Sequence, residues 1–150
     1  MSVRRATEEA ARTLGVVLHT IEVATPDQIL TGFETAAAGG AKALVVLPDA
    51  MFWNERARIV ALAAKHRMPA IYPEREYADE GGLLVYGANV PDQWRRRATY
   101  VDKILKGVKP GDLPIEQPST FDLVVNLKTA KALGLTIPSA ILARADEIME

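Results

Sequence analysis

The sequence predicts an α/β fold, a three-layer parallel sheet covered by helices, because helical and strand-like segments alternate along almost the whole chain. One strand-like run, residues 43–47, is apolar without alternation, which is typical of a parallel strand buried on both faces. Hydrophobic residues make up 49% of the 150 residues and charged residues 25%, as expected of one globular domain.

The composition and the motifs exclude several classes of function. The formal net charge of −1 argues against a general nucleic-acid binder, which needs a basic excess to neutralise phosphates. The chain has no cysteine, no phosphate-binding loop and no nucleophile elbow, and neither His19 nor His66 has a second ligand at metal spacing. We therefore expect no enzymatic activity, no cofactor, no metal site and no nucleic-acid partner.

The first third of the chain predicts a helix, a strand and a second helix. The first helix covers residues 6–14 and ends at Gly15, and the β-rich run 16–23 follows as a strand. Thr25 then caps a helix that ends at the glycine pair 39–40.

The middle of the chain continues the alternation. We expect a strand at 43–47, a helix at 51–66, a strand at 68–72, a short helix or turn at 74–80 and a strand at 83–86. These lengths are typical of parallel β-α-β units.

The last third begins with an amphipathic helix over residues 91–107 and a proline-rich loop over 109–119. A strand at 121–125 leads into a short helix that Asn126 caps, and Pro138 opens the last helix of the chain.

Polar and aromatic side chains follow the strands that end near residues 47, 72 and 86. In an open α/β sheet, ligands bind beyond the carboxyl ends of the strands, where aromatic side chains supply area and polar groups fix orientation. The predicted ligand site consists of Asp49, Phe52, Tyr72, Glu74, Arg75, Tyr86 and Asn89. Packing of the aromatic residues in the core, and helix capping by Asp49, are open alternatives.

Several segments, taken in order, resemble one family. They are Ala43-Leu44-Val45-Val46-Leu47-Pro48-Asp49, Arg56-Ala57-Arg58-Ile59, the run from Ala63 to Tyr72, Gly81-Gly82-Leu83, Tyr86-Gly87-Ala88-Asn89, the run from Tyr100 to Gly107, the run from Asp112 to Pro118 and the run from Asn126 to Pro138. From about residue 6 onwards the chain resembles the C-terminal half of the ABC-transporter substrate-binding proteins of the tryptophan/tyrosine type.

The resemblance implies part of a type I periplasmic-binding-protein fold, in which two α/β lobes close on a ligand by hinge motion. Residues 1–150 are then a single incomplete solute-binding domain. Residues 6–86 and 121–150 form most of the second lobe, and residues 87–120 hold the hinge crossing and a first-lobe helix. The first strand of the second lobe, which precedes the 6–14 helix in the family, is missing.

The resemblance further implies a substrate-binding component of an ABC transport system, or a truncated remnant of one, that binds a small organic solute such as an amino acid in the interlobe cleft. The partner is then a transporter permease, and the location is periplasmic or lipid-anchored outside the cytoplasm. No apolar stretch follows the charged residues 1–5, so we expect no signal peptide and a cytoplasmic location for the chain as it stands.

The match departs from the family at Pro73 and Glu74, where relatives commonly carry Gly and a large apolar residue, so the ligand preference of the family is not carried over. A stand-alone cytoplasmic metabolite-sensing module is the alternative function. A hydrolase or transferase is a third hypothesis, which no nucleophile–base pair supports.

Self-association is a further expectation. The missing strand leaves neighbouring strands with unpaired backbone groups, and the apolar face of the 91–107 helix lacks its first-lobe partner. We expect that helix to fold back onto the sheet or to dock against a second copy.

Overall fold

The computed structural model describes residues 3–150. The helices are α1 (Val3–Leu14), α2 (Gln28–Ala38), α3 (Ala50–Asn54), α4 (Arg56–Lys65), α5 (Glu76–Asp79), α6 (Val90–Leu105), α7 (Leu127–Leu133) and α8 (Ser139–Leu142). The strands are β1 (Leu44–Val45), β2 (Ala70–Tyr72), β3 (Leu84–Ala88), β4 (Phe121–Asn126) and β5 (Glu147–Met149). A 3₁₀ turn covers Pro110–Asp112.

The strands form a single sheet in the order β1-β2-β3-β4-β5, which confirms the α/β class. The pairs β1–β2, β2–β3 and β4–β5 are parallel, as the sequence predicts. The pair β3–β4 is antiparallel, with Ala88 opposite Phe121. The chain leaves β3 through α6 and returns to the sheet at the end where β3 stops. Strand β4 therefore runs antiparallel to β3, and the sheet is mixed.

One face of the sheet carries the hydrophobic core. Tyr72, Val85 and Val124 are paired across three neighbouring strands, and each is only 2% exposed. Helices α2 and α4 pack on this face through Ile29, Phe33, Ile59 and Val60. Each of these two helices thus buries one apolar face against the sheet.

The opposite face is covered only in part. Val125 of β4 is completely buried and Ala130 of α7 is 2% exposed, whereas Val45 of β1 is 51% exposed. Helix α1 buries no described residue except Ala11. On this face, β1 is therefore not covered by any helix among residues 3–150.

The predicted strand at 16–23 is wrong. In the described part of the chain these residues belong to no helix or strand, and β1 is an edge strand of the sheet. A β-rich run forms a strand only where a neighbouring strand supplies hydrogen-bond partners, and no strand among residues 3–150 pairs with this run.

The predicted helix from Pro138 is wrong beyond Leu142. The apolar pattern continues to Met149, but residues 147–149 pair with β4 as strand β5. A helix and a short buried strand share such apolar patterns, and pairing with β4 decides between them. The predicted 51–66 helix is likewise interrupted, at Glu55, which separates α3 from α4.

Helix α6 does not fold back onto the sheet, so that part of the expectation is wrong. None of its residues is buried, and Trp94 and Leu105 are 62% and 81% exposed. Docking of this face on a second copy stays a prediction. No helix among residues 3–150 is both long and apolar enough to cross a bilayer.

Candidate functional site

The carboxyl ends of β1 and β2 open onto a shallow cleft of about 480 Å³. Its wall on the β1 side is the turn into α3 and the exposed face of that helix, and Glu74, just after β2, forms the other side. The lining residues are Pro48, Asp49, Ala50, Trp53, Asn54 and Glu74. The cleft therefore lies where ligands bind in open α/β sheets.

Asp49 holds the start of α3. Its backbone is extended, and its Oδ1 accepts hydrogen bonds from the backbone N–H of Met51 at 2.8 Å and of Phe52 at 3.4 Å. Oδ2 takes no part in this N-cap, so the carboxylate combines a structural contact with a negative charge at the cleft.

The Glu74 carboxylate contains an unsatisfied hydrogen-bond acceptor. Its Oε2 is buried and has no hydrogen-bond partner among the described residues. Burial, and secondly the nearby Glu76 carboxylate, raise the pKa of Glu74 above its ordinary value. A cationic donor at this oxygen would supply the missing partner and favour the ionised form.

Tyr77 is close to Glu74, since its backbone N–H donates to the Glu74 carbonyl at 3.2 Å. Its ring is completely buried and stacks on the ring of Tyr72 with centroids 4.7 Å apart, and its hydroxyl has no partner among the described residues. Burial raises the pKa of Tyr77; the charges of Glu74 and Asp49 raise it further, and that of Arg56 opposes them. The hydroxyl is therefore within electrostatic range of both carboxylates of the cleft.

An aromatic side chain forms the outer wall. Trp53 is 40% exposed, and the Arg56 guanidinium lies 4.6 Å from the centre of its ring. Arg56 also donates to the Trp53 carbonyl at 3.1 Å and pairs with Glu80 at 3.5 Å. These contacts hold the indole in place, with part of its surface free.

The structure brings two of the predicted site residues, Asp49 and Glu74, into this cleft. Phe52 packs against the core. Tyr72, 2% exposed, is a core residue whose side chain supports Tyr77.

Arg75 is held by two carboxylates away from this cleft. It donates to both oxygens of Glu147, at 2.8 and 2.7 Å, and to Asp79 at 2.6 Å. The hydrogen bonds to Glu147 are the main cause that raises the pKa of Arg75. Arg75 lines a second cleft, of about 340 Å³, between β3, β4 and the start of α6.

Tyr86 and Asn89 lie at the end of β3. Tyr86 is 52% exposed and stacks on Phe121 at 5.7 Å. The Asn89 amide donates to both oxygens of Asp122, at 3.1 and 2.9 Å, and its Oδ1 caps α6 by accepting from the Asp92 N–H in the first turn. That all seven residues contact a solute stays a prediction.

The predicted site residues do not include Trp53, which lines the cleft. Trp53 follows Asp49 in the same strand-to-helix turn, and this position was the available signal. Tyr77 is completely buried and is not a lining residue of the cleft; it belongs to α5, which packs against α4, β3 and β4. No cluster of three or more His, Asp or Glu suited to a metal ion is found among residues 3–150.

Solved structures share this architecture. A conserved domain protein from Vibrio cholerae O1 biovar El Tor superposes with a TM-score of 0.89 at 24% identity, over 97% of this chain and 49% of the other. An ABC domain in complex with L-Trp from Streptococcus pneumonia gives a TM-score of 0.87 at 25% identity, over 97% and 50%. A ligand-free, open substrate-binding protein with adhesive properties from Clostridium difficile gives 0.68 at 23% identity, over 97% and 48%.

The chain thus spans about half the length of the solved structures that it matches. A comparison with curated proteins finds no match. The family model for ABC transporter substrate binding proteins matches residues 1–149, nearly the entire chain. The chain belongs to the ABC transporter substrate-binding protein family.

Proposed function

We propose that the chain supplies one half of the solute site of an ABC transport system, and that the solute is a small amine-bearing molecule such as an aromatic amino acid. The observation that carries this proposal is the buried, unpartnered Oε2 of Glu74 beside Asp49. An ammonium group is a compact donor that matches two carboxylates.

The aromatic preference rests on Trp53. Its indole is partly exposed at the mouth of the cleft and fixed by Arg56, so it offers a flat apolar surface to a second ring. The structural relative from Streptococcus pneumonia was solved with L-Trp, which supports the same class of solute.

The proposed domain division follows the course of the chain. Residues 6–86 and 121–150 belong to the lobe that carries the cleft, and residues 87–120 cross towards the other lobe. The adjacent positions of Ala88 and Phe121, and the unburied α6 between them, support this division. The proposed action is binding and release without chemical change, outside the cytoplasm and next to a permease, as is typical of the family.

Chemical-shift mapping of the purified chain tests the proposal. L-tryptophan and tryptamine carry an amine, whereas indole-3-propionate has the ring and a carboxylate only. We expect the two amines to perturb the backbone amides of residues 48–54 and 74–77, and indole-3-propionate to leave them unchanged.

Two matched variants complete the test. Glu74→Gln removes the cleft carboxylate, and Glu34→Gln removes an exposed carboxylate on α2. Only the first variant should abolish the response to the amines. Equal responses to all three compounds, or an undiminished response in Glu74→Gln, would refute an amine site at Glu74.

A further inference from the structure

The chain turns out of the sheet where β2 ends. Tyr72 is paired with Val85 of β3, so a straight continuation of this register would place residue 74 beside residue 87. Residues 73 and 74 instead form a bend before α5. Glu74, which carries the unpartnered carboxylate oxygen, therefore lies beyond the paired part of β2, and contacts other than the ladder set its position.

The Pro73 carbonyl lies directly against Gly87 of β3. A Cβ built on Gly87 would be 1.7 Å from the Pro73 oxygen and 2.7 Å from its carbonyl carbon, whereas real Cβ atoms essentially never come within 3.0 Å of another such atom. The φ angle of Gly87 is not left-handed, so its backbone conformation does not require glycine. The close approach of the two backbones is what requires glycine at this position.

Gly87 itself is held in place by the sheet. It lies in the five-residue antiparallel ladder between β3 and β4, opposite Asp122. Two residues further into this ladder, Val85 and Val124 are paired and are each only 2% exposed. A side chain at position 87 would therefore displace the bend after β2 rather than strand β3.

The far side of the bend is anchored as well. Arg75 donates to both carboxylate oxygens of Glu147 on β5. The Glu74 carbonyl accepts a hydrogen bond from the backbone N–H of Tyr77 in α5. Glu74 is thus flanked by a fixed neighbour on its C-terminal side, and its N-terminal neighbour is the residue that lies against β3.

The contact at Gly87 acts on Glu74 through one rigid unit. The Pro73 carbonyl belongs to the peptide plane that also holds the N and Cα atoms of Glu74. A methyl group at position 87 requires this carbonyl to move by about 1 Å or more, and the Glu74 side chain moves with it. Such a movement exceeds the range of about 0.5 Å over which N–H···O hydrogen-bond lengths vary.

We propose that Gly87 is a positioning residue for the amine site, an inference that rests on the function proposed above. The bare Cα of Gly87 lets the Pro73 carbonyl approach β3, and this approach sets the Glu74 carboxylate beside Asp49 with Oε2 buried. Gly87 does not line this cleft and belongs to the wall of the second cleft. It acts on the solute only through the position of Glu74.

NMR titration of the Glu74 carboxyl group in Gly87→Ala tests this role without any ligand. The raised pKa of Glu74, caused first by burial and then by Glu76, should fall towards its ordinary value, because the carboxylate moves away from β3 and gains contact with water. Gly111→Ala is the matched control, since a Cβ on Gly111 meets nothing within 4 Å, and it should leave the pKa of Glu74 unchanged.

Tryptamine binding provides the functional measurement. The affinity should fall by about tenfold in Gly87→Ala, the factor expected for loss of one hydrogen bond to a charged group, and should not change in Gly111→Ala. A wild-type chain that does not respond to tryptamine, while the pKa of Glu74 falls as expected in Gly87→Ala, would refute the amine site and support the role of Gly87.

A double variant separates positioning from simple stability. Pro73→Gly makes the bend flexible, so the combination of Pro73→Gly with Gly87→Ala relieves the clash. The Val85 and Val124 amides of the double variant should be protected from hydrogen exchange as in wild type, whereas the pKa of Glu74 should stay lowered. A merely structural role of Gly87 predicts instead that protection and pKa recover together.

Several outcomes would overturn the role of Gly87. They are a wild-type pKa of Glu74 in folded Gly87→Ala or in the folded double variant, undiminished tryptamine binding by folded Gly87→Ala, and an equal effect of Gly111→Ala. Loss of amide protection at Val85 and Val124 in both Gly87→Ala and the double variant would also overturn it, since the sheet itself would then require glycine at this position.

Discussion

The Arg75 guanidinium holds the carboxylate of Glu147 through two hydrogen bonds, Nε to Oε2 at 2.8 Å and Nη2 to Oε1 at 2.7 Å. The two residues are 72 positions apart in the chain and join the end of β2 to strand β5. This pair links the last strand to the centre of the sheet. It also occupies the guanidinium of Arg75, which the sequence predicts to bind a ligand.

The pair should add modestly to stability. The two side chains are 35% and 44% exposed, and exposed ion pairs typically contribute about 0.2–1 kcal/mol, with bidentate geometry at the upper end. We expect a coupling free energy of about 1 kcal/mol between Arg75→Met and Glu147→Gln in a double-mutant cycle by urea denaturation. Neither variant should affect tryptophan binding. A loss of binding in Arg75→Met would show that Arg75 contacts the ligand.

Most of the fold could be predicted from the sequence because its signals are local. The apolar run around Val45 and the caps Asp49 and Asn126 locate strands and helices from a few neighbouring residues. The exceptions depend on distant partners: within the described residues 16–23 pair with no strand, whereas residues 147–149 pair with β4.

The sequence predicts a candidate site at the sheet edge but not its individual contacts. Position after a strand predicts Asp49 and Glu74 at this edge, where both line the cleft, and their contact with a solute stays a prediction. It could not reveal that Arg75 and Asn89 are already bonded to Glu147 and Asp122, because those partners lie far away in the chain.

Glu74→Gln should stabilise the chain near neutral pH. The raised pKa of Glu74 means that the folded state disfavours the ionised form. The contribution of Glu74 to the stability of the wild-type chain is therefore greatest at pH values below its ordinary pKa of 4.5. This contribution is lost as the pH rises through the raised pKa of the folded state. The stability difference between Glu74→Gln and wild type should grow from pH 4 to pH 7.

Urea denaturation at several pH values measures this difference, with Glu34→Gln as the exposed control. A difference that stays constant with pH would show that Glu74 is not desolvated in the folded chain. The same ionisation predicts that tryptamine binds more weakly as the pH falls, because protonated Glu74 loses its charge.

Two substitutions of Asp49 separate its cap from its charge. Asn caps a helix about as well as Asp, whereas Ala does not, so Asp49→Ala should cost about 1 kcal/mol of unfolding free energy and Asp49→Asn clearly less. Both variants remove the carboxylate and should weaken amine binding equally. Full amine binding by Asp49→Asn would exclude a role for the charge of Asp49.

Tyr77→Phe should leave the domain at least as stable as wild type. The variant removes a buried hydroxyl that has no partner, and such an unsatisfied group costs about 1–3 kcal/mol. The ring that stacks on Tyr72 remains, whereas Tyr77→Ala loses it and should cost about 3–5 kcal/mol. Thermal unfolding of the two variants distinguishes these cases, and a destabilised Tyr77→Phe would show that the hydroxyl is satisfied by water.

The chain alone should bind aromatic amino acids only weakly. Small-ligand sites usually bury about 70–90% of the ligand, and the cleft at Asp49 and Glu74 is an open surface with one wall of aromatic character. In the proposed two-lobed site the remaining contacts come from the other lobe, so we expect a dissociation constant for L-tryptophan of about 1 mM, equivalent to about −4 kcal/mol. Isothermal titration calorimetry and sedimentation on the same sample measure the affinity and the oligomeric state together. Submicromolar affinity in a monomeric sample would show that these residues enclose the ligand without a second lobe.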